Sequence, residues 1–113
     1  MASLYDEGDR YSLTKLDVKV LIALLKCPMN GYQVARQCEA DNDGSDIHMS
    51  NGNIQYSLKA LKSLMLIQEL DGRNDGPGRP SRVYKITSIG RQVLDWEANS
   101  MRRQLELISS RTE

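Results

Sequence analysis

Ser50-Asn51-Gly52-Asn53-Ile54-Gln55-Tyr56-Ser57-Leu58-Lys59-Ala60-Leu61-Lys62-Ser63-Leu64-Met65 carries the pattern that decides the fold. Its apolar residues Ile54, Leu58, Leu61 and Met65 recur at i, i+4, i+7 and i+11, one stripe of an α-helix over about 51–66 with a cap-like start at Ser50. Two strand-like runs follow, Ile67-Gln68-Glu69-Leu70 and Val83-Tyr84-Lys85-Ile86, joined by the twelve residues from Asp71 to Arg82. That connection holds three glycines, two prolines and three arginines, which build no core and suit an exposed cationic finger. A connection this long inside a small domain tends to be functional.

Upstream, a first helix is expected from Ser12 or Thr14 to Lys26, with Leu16, Val20, Leu21, Leu24 and Leu25 facing inward and Pro28 ending it. Asn30 is placed to cap a second helix of about Gly31 to Glu39, which buries Val34 and either Ala35 or Cys38. Ala40 to Asp46 is turn chemistry throughout. Thr87 is placed to cap a last helix that continues to about Ser109. The order helix, helix, helix, strand, long loop, strand, helix predicts a mainly α fold with a small β-hairpin, a winged helix-turn-helix. Residues 1–11 then form an N-terminal arm, 12–87 the winged helix-turn-helix domain and 88–113 a C-terminal dimerisation helix.

The chain of 113 residues has zero net charge, which taken whole argues against a nucleic-acid binder. The charge is segregated, however. Residues 50–92 hold seven Lys and Arg against three Asp and Glu, a local +4, while the flanking segments are acidic. Local positive charge is what duplex phosphate meets. No basic region followed by an apolar run opens the chain, and the longest apolar stretch, Val20 to Leu25, is too short to span a bilayer. A cytoplasmic protein without a membrane partner is expected. Cys27 and Cys38 lack metal-ligand spacing and read as free thiols, with a thiol switch as the alternative.

With Ile54 inward, the opposite face of the 51–66 helix carries Gly52, Gln55, Tyr56, Lys59 and Ser63, with Lys62 at the edge. The N-terminal residues of a recognition helix meet base edges, and Asn and Gln can bond adenine bidentately. Asn51, Asn53 and Gln55 are therefore candidates for sequence readout of double-stranded DNA. Ser50, Tyr56 and Lys59 suit phosphate. Arg73, Arg79 and Arg82 flank the Gly76-Pro77-Gly78 tip, where arginine can enter a narrow minor groove. Tyr32, Lys62 and Lys85 complete the expected DNA-contacting set. A merely solvated helix face is the alternative for the helix alone; the adjoining arginine-rich hairpin weighs against it.

On the last helix, Leu94, Ala98, Met101, Leu105 and Ile108 form a straight stripe about 20 Å long, expected to meet a second copy of the chain. Ile89, Val93 and Trp96 lie on the other side and are expected to cover the chain's own core. Trp96, the lone tryptophan, is either a packing anchor or the stacking wall of a pocket for a small aromatic or cationic effector.

From Leu16 to about Ile108 the chain resembles the PadR family of winged-helix regulators. The matching residues are Leu24-Leu25 followed by Pro28-Met29-Asn30-Gly31-Tyr32, Ser50 through Tyr56 with Leu58 and Leu61, Gly78-Arg79-Pro80-Ser81-Arg82-Val83-Tyr84-Lys85-Ile86-Thr87, and Gly90-Arg91. The resemblance implies a homodimeric transcription factor, usually a repressor, dimerised through one C-terminal helix and in some members released by phenolic or multidrug-type aromatics. Asn30 stands where the family usually has His, and the proline that often follows the helix tyrosine is missing at Ser57, so base preference and effector do not carry over.

Glu39, Asp41, Asp43 and Gly44 imitate half a calcium loop, but Ser50 stands where a bidentate Glu is required, and His48 is a loop residue; no metal and no cofactor are expected. No nucleophile elbow, P-loop or acid/base pair points to an enzyme. The competing reading is a winged-helix protein-interaction module without DNA binding.

Overall fold

The computed structural model describes residues 13–41, 51–70 and 82–112. The elements run α1 (Lys15–Lys26), β1 (Met29–Asn30), α2 (Gly31–Ala40), α3 (Asn51–Ser63), β2 (Ile67–Leu70), β3 (Val83–Ile86) and α4 (Ser88–Arg111). The three strands form one antiparallel sheet in the order β1-β3-β2. The winged helix-turn-helix expectation therefore holds, with one strand added. Met29 pairs with Tyr84 and Asn30 with Val83, so the connection between the first two helices closes the sheet.

Local chemistry sets the helix starts. Thr14 Oγ1 accepts from the Asp17 amide (3.0 Å) while the Thr14 amide donates to Asp17 Oδ2 (3.0 Å). Asn30 Oδ1 accepts from the Gln33 amide (2.8 Å), and the Asn30 amide donates to Gln33 Oε1 (2.9 Å). These reciprocal boxes satisfy donors that a helix start leaves without partners. Thr87 Oγ1 accepts from the Gly90 amide (3.1 Å) and caps α4.

The core gathers Val20, Leu21 and Leu24 of α1, Val34, Ala35 and Cys38 of α2, Ile54, Leu58 and Leu61 of α3, Leu66 and Ile67, Tyr84 and Ile86 of β3, and Val93 and Leu94 of α4. Both Ala35 and Cys38 are inside, which resolves the alternative left by the sequence. Burial, and then the nearby Asp41 carboxylate, push the Cys38 thiol up to about 11, partly opposed by Lys19. Such a thiol stays protonated and inert near neutral pH. Cys27 is exposed at the end of α1, and both cysteines are free.

Two inward assignments and one outward assignment are corrected. Leu25 is exposed, because it falls past the edge of the arc of α1 that Val20, Leu21 and Leu24 fill. Met65 is also exposed, because α3 ends at Ser63 and the chain turns there. The Leu66 amide donates to the Leu61 carbonyl and the Met65 amide to the Lys62 carbonyl (both 3.0 Å), with Met65 at φ 63°. This is the Schellman closure of a helix, with Met65 where glycine is usual. It points Met65 outward and brings Leu66 into the core instead.

Leu94 is the third correction. It belongs to the chain's own core rather than to an outward stripe. A Cβ at Gly90 would collide with the Leu66 carbonyl oxygen and crowd Ile86 Cγ1 at 2.8 Å, so α4 approaches the body most closely at Gly90. The residues three and four further on, Val93 and Leu94, share that face and are both buried. Ile89 packs at the margin.

One buried polar contact ties the layers together: Ser57 Oγ donates to Asp17 Oδ1 at 2.6 Å, joining α3 to the first turn of α1. Ser57→Ala leaves that carboxylate oxygen without its donor and lowers stability by about 1–3 kcal/mol, measured by denaturant unfolding. Gly90→Ala forces α4 off the Leu66 backbone and lowers stability by about 3 kcal/mol, read from the same titration. A variant at either site as stable as the wild type contradicts the packing described.

Candidate nucleic-acid interface

α3 has the two faces its sequence demands. Ile54, Ser57, Leu58 and Leu61 are buried, while Gly52, Asn53, Gln55, Tyr56, Lys59, Lys62 and Ser63 are exposed. Ser57 joins the buried face because its hydroxyl has Asp17 to bond. A helix anchored by three large aliphatic side chains and one buried hydrogen bond holds its rotation about its own axis. That rotation decides which side chains reach out.

The start of α2 lies against this helix. A Cβ at Gly31 would stand 2.6 Å from Gln55 Nε2 and 3.6 Å from Leu58 Cδ1, so the Gln55 side chain crosses the first residue of α2. Tyr32, the next residue, is 68% exposed, and Tyr56 on α3 is 77% exposed. Arg36 sits one turn further along α2 with its guanidinium carbon 5.9 Å from the centre of the Tyr32 ring. That stacking keeps the cation extended beside the ring. Gln55 of α3 therefore adjoins the start of α2 next to Tyr32, and Tyr56 and Lys59 are exposed on the same helix as Gln55. Arg36 is an addition that sequence reading missed, and its signal was the i, i+4 spacing from Tyr32.

The base of the hairpin supplies a second group. In β2 and β3, Glu69 is paired with Tyr84 and Gln68 with Lys85. Because side chains alternate along a strand, Glu69 shares the sheet face of buried Tyr84, and Lys85 stands on the opposite face. Lys62, at the end of α3, donates to Glu69 Oε1 at 3.2 Å. Arg82 Nη1 lies 3.9 Å from the same oxygen. Lys62 and Arg82 are thus drawn together, whereas Lys85 is separated from both.

Ser50, Arg73 and Arg79 lie outside the described residues, as do the loop with His48 and the arm. Asn51 begins α3, with its side chain outside the description. Asn53 is on the exposed face and has an interaction within the chain.

At the other end of the molecule, α4 leaves the body. Every described residue from Met101 to Thr112 is exposed, including Met101, Leu105, Leu107 and Ile108. A groove runs between α1 and α4, lined mainly by Leu13, Val18, Lys19, Ile22, Glu97 and Met101. Trp96 is half-buried and does not line it. Among the described residues, no helix is long and apolar enough to cross a membrane.

No protein-family model matches the chain, and no curated protein does. Solved structures do. A PadR family transcription regulator from Clostridium difficile superposes with a TM-score of 0.74 at 20% identity, covering 88% of this chain and all of that one. A transcriptional regulator from Clostridium thermocellum gives 0.70 at 15% identity and covers 100% of this chain and 99% of that one. ZitR from Lactococcus lactis, a zinc-responsive MarR family member, gives 0.61 at 18% identity, with 88% of this chain covering 60% of that one. The chain therefore has the winged-helix fold of PadR and MarR transcription regulators, over nearly its whole length in the first two cases.

Proposed function

We propose that this chain is a sequence-specific, DNA-binding transcription regulator of the PadR type that represses as a homodimer. The observation that carries the reading is the Gln55 side chain of α3 lying against the start of α2, beside exposed Tyr32 and Arg36, with Tyr56 and Lys59 exposed on the same helix as Gln55. This arrangement combines amide groups at the start of a rotationally fixed helix, suited to base edges, with hydroxyls and cations suited to phosphate. The PadR assignment draws on the order of the motifs from Pro28 to Arg91 and on the match in length to the Clostridium regulators, where ZitR is longer. In this reading Asn51, Asn53 and Gln55 read bases, Ser50 and Lys59 hold phosphate, and Arg73 and Arg79 reach the flanking groove.

The stripe on α4 is reassigned to Ala98, Met101, Leu105 and Ile108. Exposed aliphatic side chains repeated along three turns of helix need a partner, and a second copy supplies the same stripe by symmetry. Two copies present two recognition helices and double the +4 of residues 50–92. An aromatic or cationic effector that enters the groove beside Met101 and Glu97 meets α1 and α4 together, and Trp96 reports on it from nearby.

Two measurements test this. Binding to random duplex, followed by fluorescence anisotropy, falls steeply as log[salt] rises, and Lys59→Ala reduces the slope by about one per chain. Absence of binding to random and operator-like duplexes alike at low salt contradicts the reading and favours a protein-interaction module. Leu105→Glu combined with Ile108→Glu yields the mass of a single chain in sedimentation equilibrium and weakens operator binding by about 100-fold through loss of bivalency. A double variant that stays dimeric removes α4 from the interface.

A further inference from the structure

Between Asn51 and Leu94, among the described residues, Glu69 is the one acidic residue. The same stretch carries Lys59, Lys62, Arg82, Lys85 and Arg91. Glu69 sits in the angle between the end of α3 and the base of the hairpin, and one of its oxygens faces both Lys62 Nζ (3.2 Å) and Arg82 Nη1 (3.9 Å). The Lys62 side chain is 51% exposed and that of Arg82 73%, against 30% for Glu69. The two cations therefore reach solvent, and the carboxylate between them is the least exposed of the three.

An ammonium and a guanidinium converging on one anionic oxygen is the donor set that a backbone phosphate engages. Exposed ion pairs of this kind add little to stability, so the carboxylate is a poor choice for holding the hairpin in place. It is well placed to occupy the cations when DNA is absent. Resting on the DNA-binding reading above, we propose that Glu69 is an internal substitute for phosphate that limits affinity for DNA. It holds Lys62 and Arg82 as a pair and must give them up before a phosphate takes its place. The pair then contributes less than two free cations to binding that depends on phosphate alone. Contacts made by α3 to bases carry a correspondingly larger share of the affinity for an operator.

The test is a double-mutant cycle on the full-length chain, with random duplex as probe and anisotropy across a salt series. Glu69→Gln keeps the size and a hydrogen-bonding oxygen. It is expected to tighten binding about three- to tenfold at low salt and to steepen the plot of log K against log[salt] by about one to two per chain. In a Lys62→Gln, Arg82→Gln background the same substitution is expected to change affinity less than twofold, because no cations remain to be released. An equal gain in both backgrounds overturns the proposal, since it reflects removal of a negative charge near DNA and nothing specific to the pair. An unchanged or weaker affinity for Glu69→Gln, with wild-type binding intact, overturns it also while leaving the DNA-binding reading in place. If wild type and variants alike fail to bind duplex, both fall. Thermal midpoints within about 2 °C of wild type are expected for Glu69→Gln, so that affinity changes are not misfolding in disguise.

Discussion

The turn from Leu64 to Leu66 ties α3, the sheet and α4 to one another. It ends α3 and leads into β2, and it is also the floor on which α4 stands. The Leu66 carbonyl accepts from the Thr87 amide at 3.0 Å, the Met65 carbonyl accepts from Thr87 Oγ1 at 2.7 Å, and Gly90 abuts the same backbone with no side chain between. Thr87 is at once the cap of α4 and a donor to this turn. One threonine and one glycine thereby relate α3, the sheet and α4. Met65 takes a left-handed conformation to close α3, at a conformational cost of about 1–2 kcal/mol that hydrogen bonds to its neighbours offset.

Two parts of the molecule meet at that junction. On one side, α3 is held in rotation by Ile54, Leu58 and Leu61 and by the buried Ser57–Asp17 bond. Its outer face joins the start of α2 through Gln55 and Gly31. On the other side, α4 spends its first two turns in the core and the remainder outside it. Asp17 lies between the two halves, since it belongs to the helix that forms one wall of the groove facing Glu97 and Met101. That wall of the groove and α3 are joined through α1 by the Ser57–Asp17 bond and by the shared core.

Much of this was legible in the sequence, for local reasons. Asn30 and Thr87 mark two helix starts, and Ser12 or Thr14 a third that the structure fixes at Thr14, because a capping side chain bonds an amide only three residues away. The strands at 67–70 and 83–86 were readable because they are bounded by turn residues and pair with each other. The features that escaped are non-local. β1 is two residues long and exists only because β3 lies beside it. Ser57 and Asp17 are forty residues apart, so nothing in either neighbourhood marks them as partners. Periodicity placed Leu94 correctly in line with Met101 and Leu105, but it cannot locate where the body of the domain stops. Gly90 decides that, by letting α4 in close. Met65 was misplaced because a helical stripe gives no warning of a left-handed closure at a residue other than glycine. Trp96 was a natural candidate for an effector wall, yet the groove beside α4 is lined one residue further on, at Glu97.

The central claim is that the outer face of α3, together with the start of α2, meets duplex DNA. Amide chemical-shift mapping of the full-length protein during titration with an operator-like duplex tests it most directly. The largest shifts are expected at Tyr32, Arg36, Gly52 to Tyr56, Lys59 and Arg82, with Leu105 to Ser109 little changed. Shifts concentrated on Val18, Ile22, Met101 and Leu105, with α3 silent, would contradict it.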